Sequence, residues 1–441
     1  MQIKPIFMST ITTDKQYTSQ VIQVRLYPNK DQMNYLANCF GCCRYLYNHF
    51  LHETTEQYKV DGTFLWYEDF QNAIPEMKKR EETEWLKNVD STCLQNAVRN
   101  LDNSQNNFVK SKQGKRKGPK VGFPQYKKRS NRQSAKFTSN NTTVGTSCKV
   151  DYENQKIKIP KLKTWISFAN KIEQDRIPDG KLQSITITKN PAGHYFASLL
   201  YKVEKKPINY MPNPENCIGI DFGLKTFITL NTGEKIDSPK AYKKSQKRLA
   251  RLSRAHSRKK TNSKNREKSR IKLAKQHEKV ANQRKDFNHK TSRKLVDTYD
   301  FIFIEDLNIK GMVRGRKRKK PNAKTRKRGL GKSVNDVAWA QFVGFMNYKA
   351  LALGKFVIKI DRYYPSSKTC SHCGYVKDKL KIKEREWTCP HCNTYHDRDI
   401  NAAINILVEG KRTLFGKNPN SSTVGTTGIH ACGDGATKES K

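Results

Sequence analysis

Acidic residues are scarce in this chain. Across 441 residues, 40 Asp and Glu face 86 Lys and Arg, leaving a formal net charge of +46. Such an excess repels itself in a compact state unless a polyanion neutralises it. Duplex nucleic acid carries one charge per about 1.7 Å of axis, so roughly 40 phosphates sit on 20 base pairs. The surplus therefore matches a partner of tens of nucleotides, not a mononucleotide. Long hydrophobic runs are also missing. None approaches the roughly 20 residues that span a bilayer, and no lipidation motif is present, so no membrane partner is expected. The opening MQIKPIFMSTITTDKQ has no basic stretch followed by an apolar core, which argues against secretion. Cysteine numbers eleven, an odd count. Four belong to one paired motif and the others are scattered. This fits reduced thiols in the cytosol better than a disulfide framework.

Apolar residues make up 35% of the chain, thinly spread but enough for two to four domains. Residues 21–27 alternate as a strand that Pro28 stops. From Lys30 to about Gln57, apolar positions recur at three and four: Met33, Leu36, Ala37, Phe40, Leu46, Tyr47, Phe50 and Leu51. That spacing predicts a helix. A second helix is predicted over Ser91 to about Lys110, with a less regular stretch containing Trp66, Phe70 and Trp85 between them. Residues 30–112 thus read as an α-helical subdomain. The basic, Gly- and Pro-rich segment 112–132 cannot be a long helix. Short strands are expected at 156–159, 165–168, 183–189 and 195–203. They suggest a small β-barrel or curled sheet over 113–215, to which the strand within 1–29 returns.

From Asn216 the texture changes. Cys217 to Phe222 reads as a buried strand entering a glycine turn, followed by meander strands near Phe227–Leu230 and Glu234–Ile236. A long charged helical region is expected from about Lys240 to Asp297. Phe301–Ile304 is apolar on both faces, as a central strand is. A helix through Trp339–Met346 and a strand at Phe356–Ile360 follow. Residues 216–410 therefore form a mixed α/β domain, and the whole chain is a multidomain α+β protein. After Gly410 the Gly-, Ser- and Thr-rich residues 411–441 are expected to be a disordered tail.

Two motifs carry chemistry. Cys370, Cys373, Cys389 and Cys392 form C-S-H-C and C-P-H-C, fifteen residues apart. This spacing is a strong zinc signal, and four thiolates make a closed structural site. His372 and His391 lie inside the pairs as bystanders. Cys39, Cys42 and Cys43 have no second pair nearby and read as buried small residues. The second motif is a set of acids. Asp221 and Glu305 each end a buried strand, and Asp399 opens a helix just after the cysteines. Singly, each reads as a cap, a turn former or a surface charge. Together they meet the needs of two-metal phosphodiester hydrolysis, in which carboxylates from separate elements converge.

These residues resemble the TnpB family, transposon-encoded relatives of type V CRISPR effectors. The resemblance rests on I-G-I-D-F-G-L-K at 218–225, I-E-D-L at 304–307, the cysteine pairs and D-R-D-I-N-A-A-I-N-I at 397–406. Less specific matches are R-L-Y-P-N-K near residue 25, G-F-P-Q-Y-K at 122–127, S-I-T-I-T-K at 184–189 and V-G-T-T-G-I-H-A in the tail. The resemblance implies an RNase H-like (RuvC) nuclease domain with a zinc ribbon at about 366–396, a wedge β-barrel and a helical recognition subdomain. It implies Asp221, Glu305 and Asp399 as catalytic ligands of Mg2+, with structural Zn2+ on the four cysteines. The family's D-x-N-x-A core selects Asp399 and leaves Asp397 as a cap or supporting residue. Strand alternation puts Glu305 on the face of Phe301 and Phe303, and Asp306 on the other. Arg398 could meet the scissile phosphate or pair with an acid.

The implied partners are a guide RNA from the transposon end, a double-stranded DNA target and, in the same element, a transposase. The setting is the prokaryotic cytosol and nucleoid. The expected activity is RNA-guided cleavage beside a short flanking motif. The alternative is an RNA-guided or nonspecific DNA-binding regulator, or a transposition accessory protein, that does not cut. Tyr45, Tyr47, Trp66 and Trp85 are stacking candidates, although core packing accounts for each. The tract 310–332, with Arg314, Arg316–Lys320 and Arg326–Arg328, reads as a basic arm on nucleic acid beside the nuclease.

Overall fold

The structure is a computed structural model that describes residues 17–130, 132–142, 145–169, 172–204, 208–314, 329–381 and 383–416. The tail beyond Gly416 and most of the basic tract lie outside the described residues. The chain divides into two compact units, 1–207 with 270–275, and 208–269 with 276–441.

In the first unit, β1 (Tyr17–Tyr27) is followed by α1 (Lys30–Asp61), α2 (Tyr67–Lys79) and α3 (Ser91–Lys112). Pro28 ends β1, and Asn29 caps α1. The Asn29 side chain accepts from Gln32 N at 2.9 Å while the Gln32 side chain accepts from Asn29 N at 2.9 Å. This reciprocal box satisfies donors that a helix start otherwise leaves orphaned. The strands are β2 (Gln133–Thr138), β3 (Asn141–Thr142), β4 (Gly145–Thr146), β5 (Lys149–Asp151), β6 (Lys156–Lys158), β7 (Ile166–Phe168), β8 (Gly180–Lys189) and β9 (Tyr195–Glu204). Seven of them form one antiparallel sheet in the order β2-β8-β9-β1-β7-β6-β5. It is a half-barrel rather than a closed barrel. β1 pairs with β9 from Tyr17↔Glu204 to Leu26↔Tyr195, across the whole helical insertion. Leu36, Phe40, Leu46 and Phe50 of α1 and Leu94, Val98 and Leu101 of α3 share one core with Ile185, Ile187 and Leu199 of the sheet. Cys39, Cys42, Cys43 and Cys93 are buried in it.

The second unit contains β10 (Cys217–Phe222), β11 (Ile228–Leu230), β12 (Lys235–Ile236), α4 (Ala241–Ser257), α5 (Lys264–Thr298, apart from 270–275) and β13 (Phe301–Glu305). α6 (Ile309–Arg314), α7 (Gly329–Val337), α8 (Trp339–Ala352), β14 (Phe356–Ile360), β15 (Glu386–Thr388), β16 (Tyr395–Asp397) and α9 (Arg398–Phe415) follow. The central sheet has the order β12-β11-β10-β13-β14. β10 and β11 are antiparallel, whereas β10, β13 and β14 run parallel. An antiparallel meander joined to parallel strands is the RNase H-like arrangement expected. β13 lies between two parallel neighbours, which accounts for its apolar residues on both faces. Ile302 and Ile304 pack toward Phe342 and Met346 of α8. Phe301 and Phe303 pack toward Ile406 of α9.

The charged helical region expected over 240–297 is two helices, α4 and α5. The chain turns between them, with Asn262 in the left-handed conformation (φ 62°) and Ser263 capping α5 through Arg266 N at 3.1 Å. Two expectations need correction. The irregular stretch before α3 contains a regular helix, α2, which tolerates Pro75 inside it. The final helix does not stop at Gly410 but continues to Phe415. Phe415 sets its ring edge-on to Phe301 at 5.4 Å.

Glycine decides how closely α9 lies on the sheet. A Cβ on Gly219 would stand 2.2 Å from Ala403 O and 2.7 Å from Leu407 N. One on Gly410 would stand 2.2 Å from the Phe303 ring. Backbone cannot yield as a flexible side chain does, so Gly219→Ala must push α9 off β10. We predict a loss of about 1–3 kcal/mol or more, measured by denaturant unfolding. Gly344→Ala is the control: it meets nothing within 4 Å inside α8 and should be neutral or stabilising.

Candidate active site

Side chains on a strand alternate between faces. In β10 this puts Cys217, Gly219 and Asp221 on one face. In β13 it puts Phe301, Phe303 and Glu305 there. β10 and β13 are in register, with Ile220 opposite Ile304, so Asp221 and Glu305 emerge side by side at the carboxyl ends of two parallel strands. α9 covers that face and presents Asp399 in its first turn.

The electrostatics register this crowding. The Asp221 carboxyl is pushed up to about 8, first by burial and then by the negative charges of Glu305 and Asp399, with Arg398 opposing. Desolvation and like charge both favour the neutral acid. Asp306, on the opposite face, behaves otherwise. Partial burial works against its charge, but Lys359 and Arg362 hold its carboxyl below the usual range.

Asp397 caps α9, accepting from Asp399 N at 3.0 Å and Ile400 N at 3.1 Å. Lys235 pairs with its other oxygen at 2.5 Å. Among the described residues Arg398 forms no ion pair with an acid; it donates to the carbonyls of Lys381 at 3.0 Å and Glu384 at 3.4 Å. Three contacts escaped the sequence reading. Arg385 reaches Asp399 Oδ1 at 3.5 Å, and Ser366 Oγ donates to Glu305 Oε1 at 2.5 Å. Asn401 and Asn405 bind the loop that leads into the cysteines. One signal was available for the last: 401 and 405 are four apart, so they share a helix face.

The cysteines form a compact cluster. Their four Sγ atoms all lie within 4.8 Å of one another, with Cys370–Cys392 and Cys373–Cys389 at 3.6 Å. All four are free thiols. Tetrahedral zinc, at about 2.3 Å from each thiolate, sets sulfurs about 3.8 Å apart, so the donor set fits that ion. The two knuckles are alike. Gly374 N donates to Cys370 O and Asn393 N to Cys389 O, each at 2.9 Å, and both residues adopt positive φ. His372 and His391 are outside the cluster.

The aromatic candidates divide. Tyr47 is buried beneath Lys127, whose Nζ stands 3.7 Å from the ring centre. Tyr45 packs edge-on against Trp85 at 5.0 Å, and Trp66 lies tilted against Phe64. Among the described residues, no helix is long and apolar enough to cross a membrane.

A β10-first nuclease-like sheet, crossed by a helix and carrying a four-cysteine ribbon before its last acid, defines a class, and comparison with known proteins narrows it. A family model described as a probable transposase of the OrfB type matches residues 198–316. One described as the Cas12f1-like TNB domain matches 339–406. One described as a helix-turn-helix domain matches 18–63, where this chain has a strand and a single 32-residue helix. A Streptomyces pristinaespiralis protein named "Putative RNA-guided DNA endonuclease" is 34% identical over 90% of each chain. The Escherichia coli K12 protein "Putative RNA-guided DNA endonuclease InsQ" is 27% identical over 90% of this chain and 93% of its own. A Cas12f1 chain, solved with sgRNA and target DNA, shares the fold at a TM-score of 0.52 and 14% identity, covering 89% of this chain and 99% of that one. The chain belongs to the TnpB (OrfB) family.

The raised Asp221 has a consequence for stability. Its folded-state value of about 8 exceeds its unfolded value of 3.8. Between these values the native state binds more protons than the unfolded chain, so this group makes stability fall as pH rises from 4 to 8. Asp221→Asn removes that loss. In magnesium-free buffer, the variant's melting temperature should exceed the wild type's by a margin that widens from pH 5 to pH 8. A margin constant with pH would show that the carboxyl is not perturbed.

Proposed function

We propose that the protein is an RNA-guided DNA endonuclease that hydrolyses phosphodiesters at Asp221, Glu305 and Asp399. One observation carries the reading: three acids from three separate elements converge on one sheet end, and Asp221 is driven toward neutrality by burial and by the other two. A donor set of that charge suits divalent cations. Magnesium ions bound there supply an activated water and positive charge for the leaving oxygen. A cation bound there would supply the neutralising charge that burial and the other two acids otherwise demand of a proton on Asp221. Glu305 is held in one orientation by Ser366. Asp399 sits at the positive end of α9, which lowers the cost of its charge. Arg385 and Arg398 stand at the rim, where a phosphate would meet them.

The four cysteines are assigned to Zn2+ in a structural role, because the thiol set is closed and leaves no open position for substrate. The helical subdomain 30–112 and the half-barrel region 113–215 are assigned to clamping guide RNA and its heteroduplex, with 216–410 as the nuclease. In this arrangement base pairing reads sequence while the protein reads backbone and shape. The charge of +46 supports that division, as do the names of the full-length relatives.

Two experiments test these assignments. Protein purified from cells expressing its native locus should carry one dominant RNA with a fixed scaffold and a variable end. With that RNA and magnesium, the wild type should cut matching DNA, while Asp221→Ala loses cleavage by about a thousandfold or more and keeps the RNA. A variant that still cuts displaces the carboxylate assignment. RNA-directed binding without wild-type cutting favours the regulator. For the ribbon, elemental analysis should find one zinc per chain. Cys389→Ser should lower that content and the melting temperature, whereas Cys42→Ser leaves the zinc in place.

A further inference from the structure

We infer that Ser366 is a positioning residue for Glu305, and that Asn405 and Asn401 make its position depend on the folded cysteine ribbon. The inference rests on the carboxylate reading above. Glu305 leaves the end of β13 on a long side chain whose terminal torsion is broad, so backbone alone does not aim its oxygens. Ser366 does: its Oγ donates to Oε1 at 2.5 Å from a buried position. The acceptor oxygen, and with it the second oxygen of the carboxylate, is thereby fixed relative to Asp221.

Ser366 is itself held from two sides. Its N–H donates to Tyr364 O at 2.8 Å. Its carbonyl accepts from Asn405 Nδ2, also at 2.8 Å. The same Nδ2 donates to Thr369 O at 2.6 Å, and Asn401 Nδ2 joins it there at 2.8 Å. Asn401 Oδ1 then accepts from Ser371 N at 2.9 Å, one residue beyond Cys370. Both asparagines are almost fully buried. A series of hydrogen bonds thus runs from Ser371, beside the first cysteine, through the asparagines of α9 to Ser366, and from its hydroxyl to the oxygen of Glu305. Groups that orient metal ligands in this way set metal affinity without touching the ion.

Mn2+ is the probe. Its binding to the full chain with copurified nucleic acid is followed by the paramagnetic resonance of the free ion. The difference from Asp221→Ala carrying the same nucleic acid isolates the carboxylate site. Ser366→Ala should weaken that component by about tenfold or more while the zinc content and melting temperature stay close to wild type. Ser366→Thr, which keeps the hydroxyl, should restore it. Asn405→Ala should weaken it similarly, and the double variant should lose no more than the worse single one, because the two act in series. Unchanged Mn2+ affinity in Ser366→Ala overturns the inference and leaves the carboxylate assignment intact. If wild type and Asp221→Ala bind Mn2+ alike, the carboxylate assignment itself fails, and this one with it.

Discussion

Bringing three carboxylates to one point is the constraint on which the rest of the second unit depends. Each arrives from a different element, and each adds repulsion to the others. Two are delivered by parallel strands in register, which requires the crossover through α4 and α5 between β10 and β13. The third is delivered by a helix that must lie almost on the sheet. Gly219 permits that approach, since any Cβ there would strike the backbone of α9. Gly410 does the same further along, beneath Phe303. The apolar residues of β13 then bind both layers, α8 on one face and α9 on the other. The packing that buries Asp221 is thus the same packing that raises its proton affinity.

The ribbon acts as a brace on this arrangement. It is inserted between β14 and α9, and its own core is little more than Cys370, Trp387 and Cys389 with Leu380 and Cys392 beside them. A module that small lacks the apolar area to fold alone, so a metal held by its thiols would carry much of its stability. Its connections nonetheless reach the acids directly. Ser366 at its entrance holds Glu305, Arg385 near its β15 strand meets Asp399, and Arg398 anchors back to the Lys381 and Glu384 carbonyls. The placement of the cysteines just before the third acid therefore has a mechanical sense: the brace and the acid share one helix.

Much of this was legible in the sequence because it depends on local periodicity. Short apolar runs marked β10 and β13, and alternation separated Glu305 from Asp306. The three-and-four spacing marked α1 and α3, and the cysteine spacing marked the ribbon. The misses share a different cause. The turn between α4 and α5 is made by Asn262 in a left-handed conformation within a stretch as basic as its flanks, so composition hides it. The stretch that forms α2 carries Pro75 in its interior, where proline removes a helix hydrogen bond. β2 is polar enough that only its partner β8 shows it to be a strand. The site contacts that went unread join residues far apart in the chain: Ser366 lies 61 positions from Glu305, and Asn405 lies 36 from Thr369. A hydrogen bond at that separation leaves no period in a sequence.

The charge balance gives the strongest physical reason to treat the acids as functional. In a chain with more than twice as many cations as anions, a carboxylate easily finds a partner, and several acids of the second unit have one. Asp306 has Lys359 and Arg362, Asp397 has Lys235, Asp300 has Lys355 and Glu409 has Arg412. Among the described residues, Asp221 and Glu305 make no such ion pair, even though they stand beside each other. Folding gains nothing from that omission. Bringing like charges together at the end of a sheet costs stability, a cost that the proposed divalent cations, bound between the acids, would offset. Apart from Arg385 and Arg398 at the rim of the site, the surplus of Lys and Arg is spread along the chain, where it suits a phosphate backbone. Segregation of the two signs, rather than the total of +46, is what distinguishes a nuclease from a protein that merely attracts polyanions.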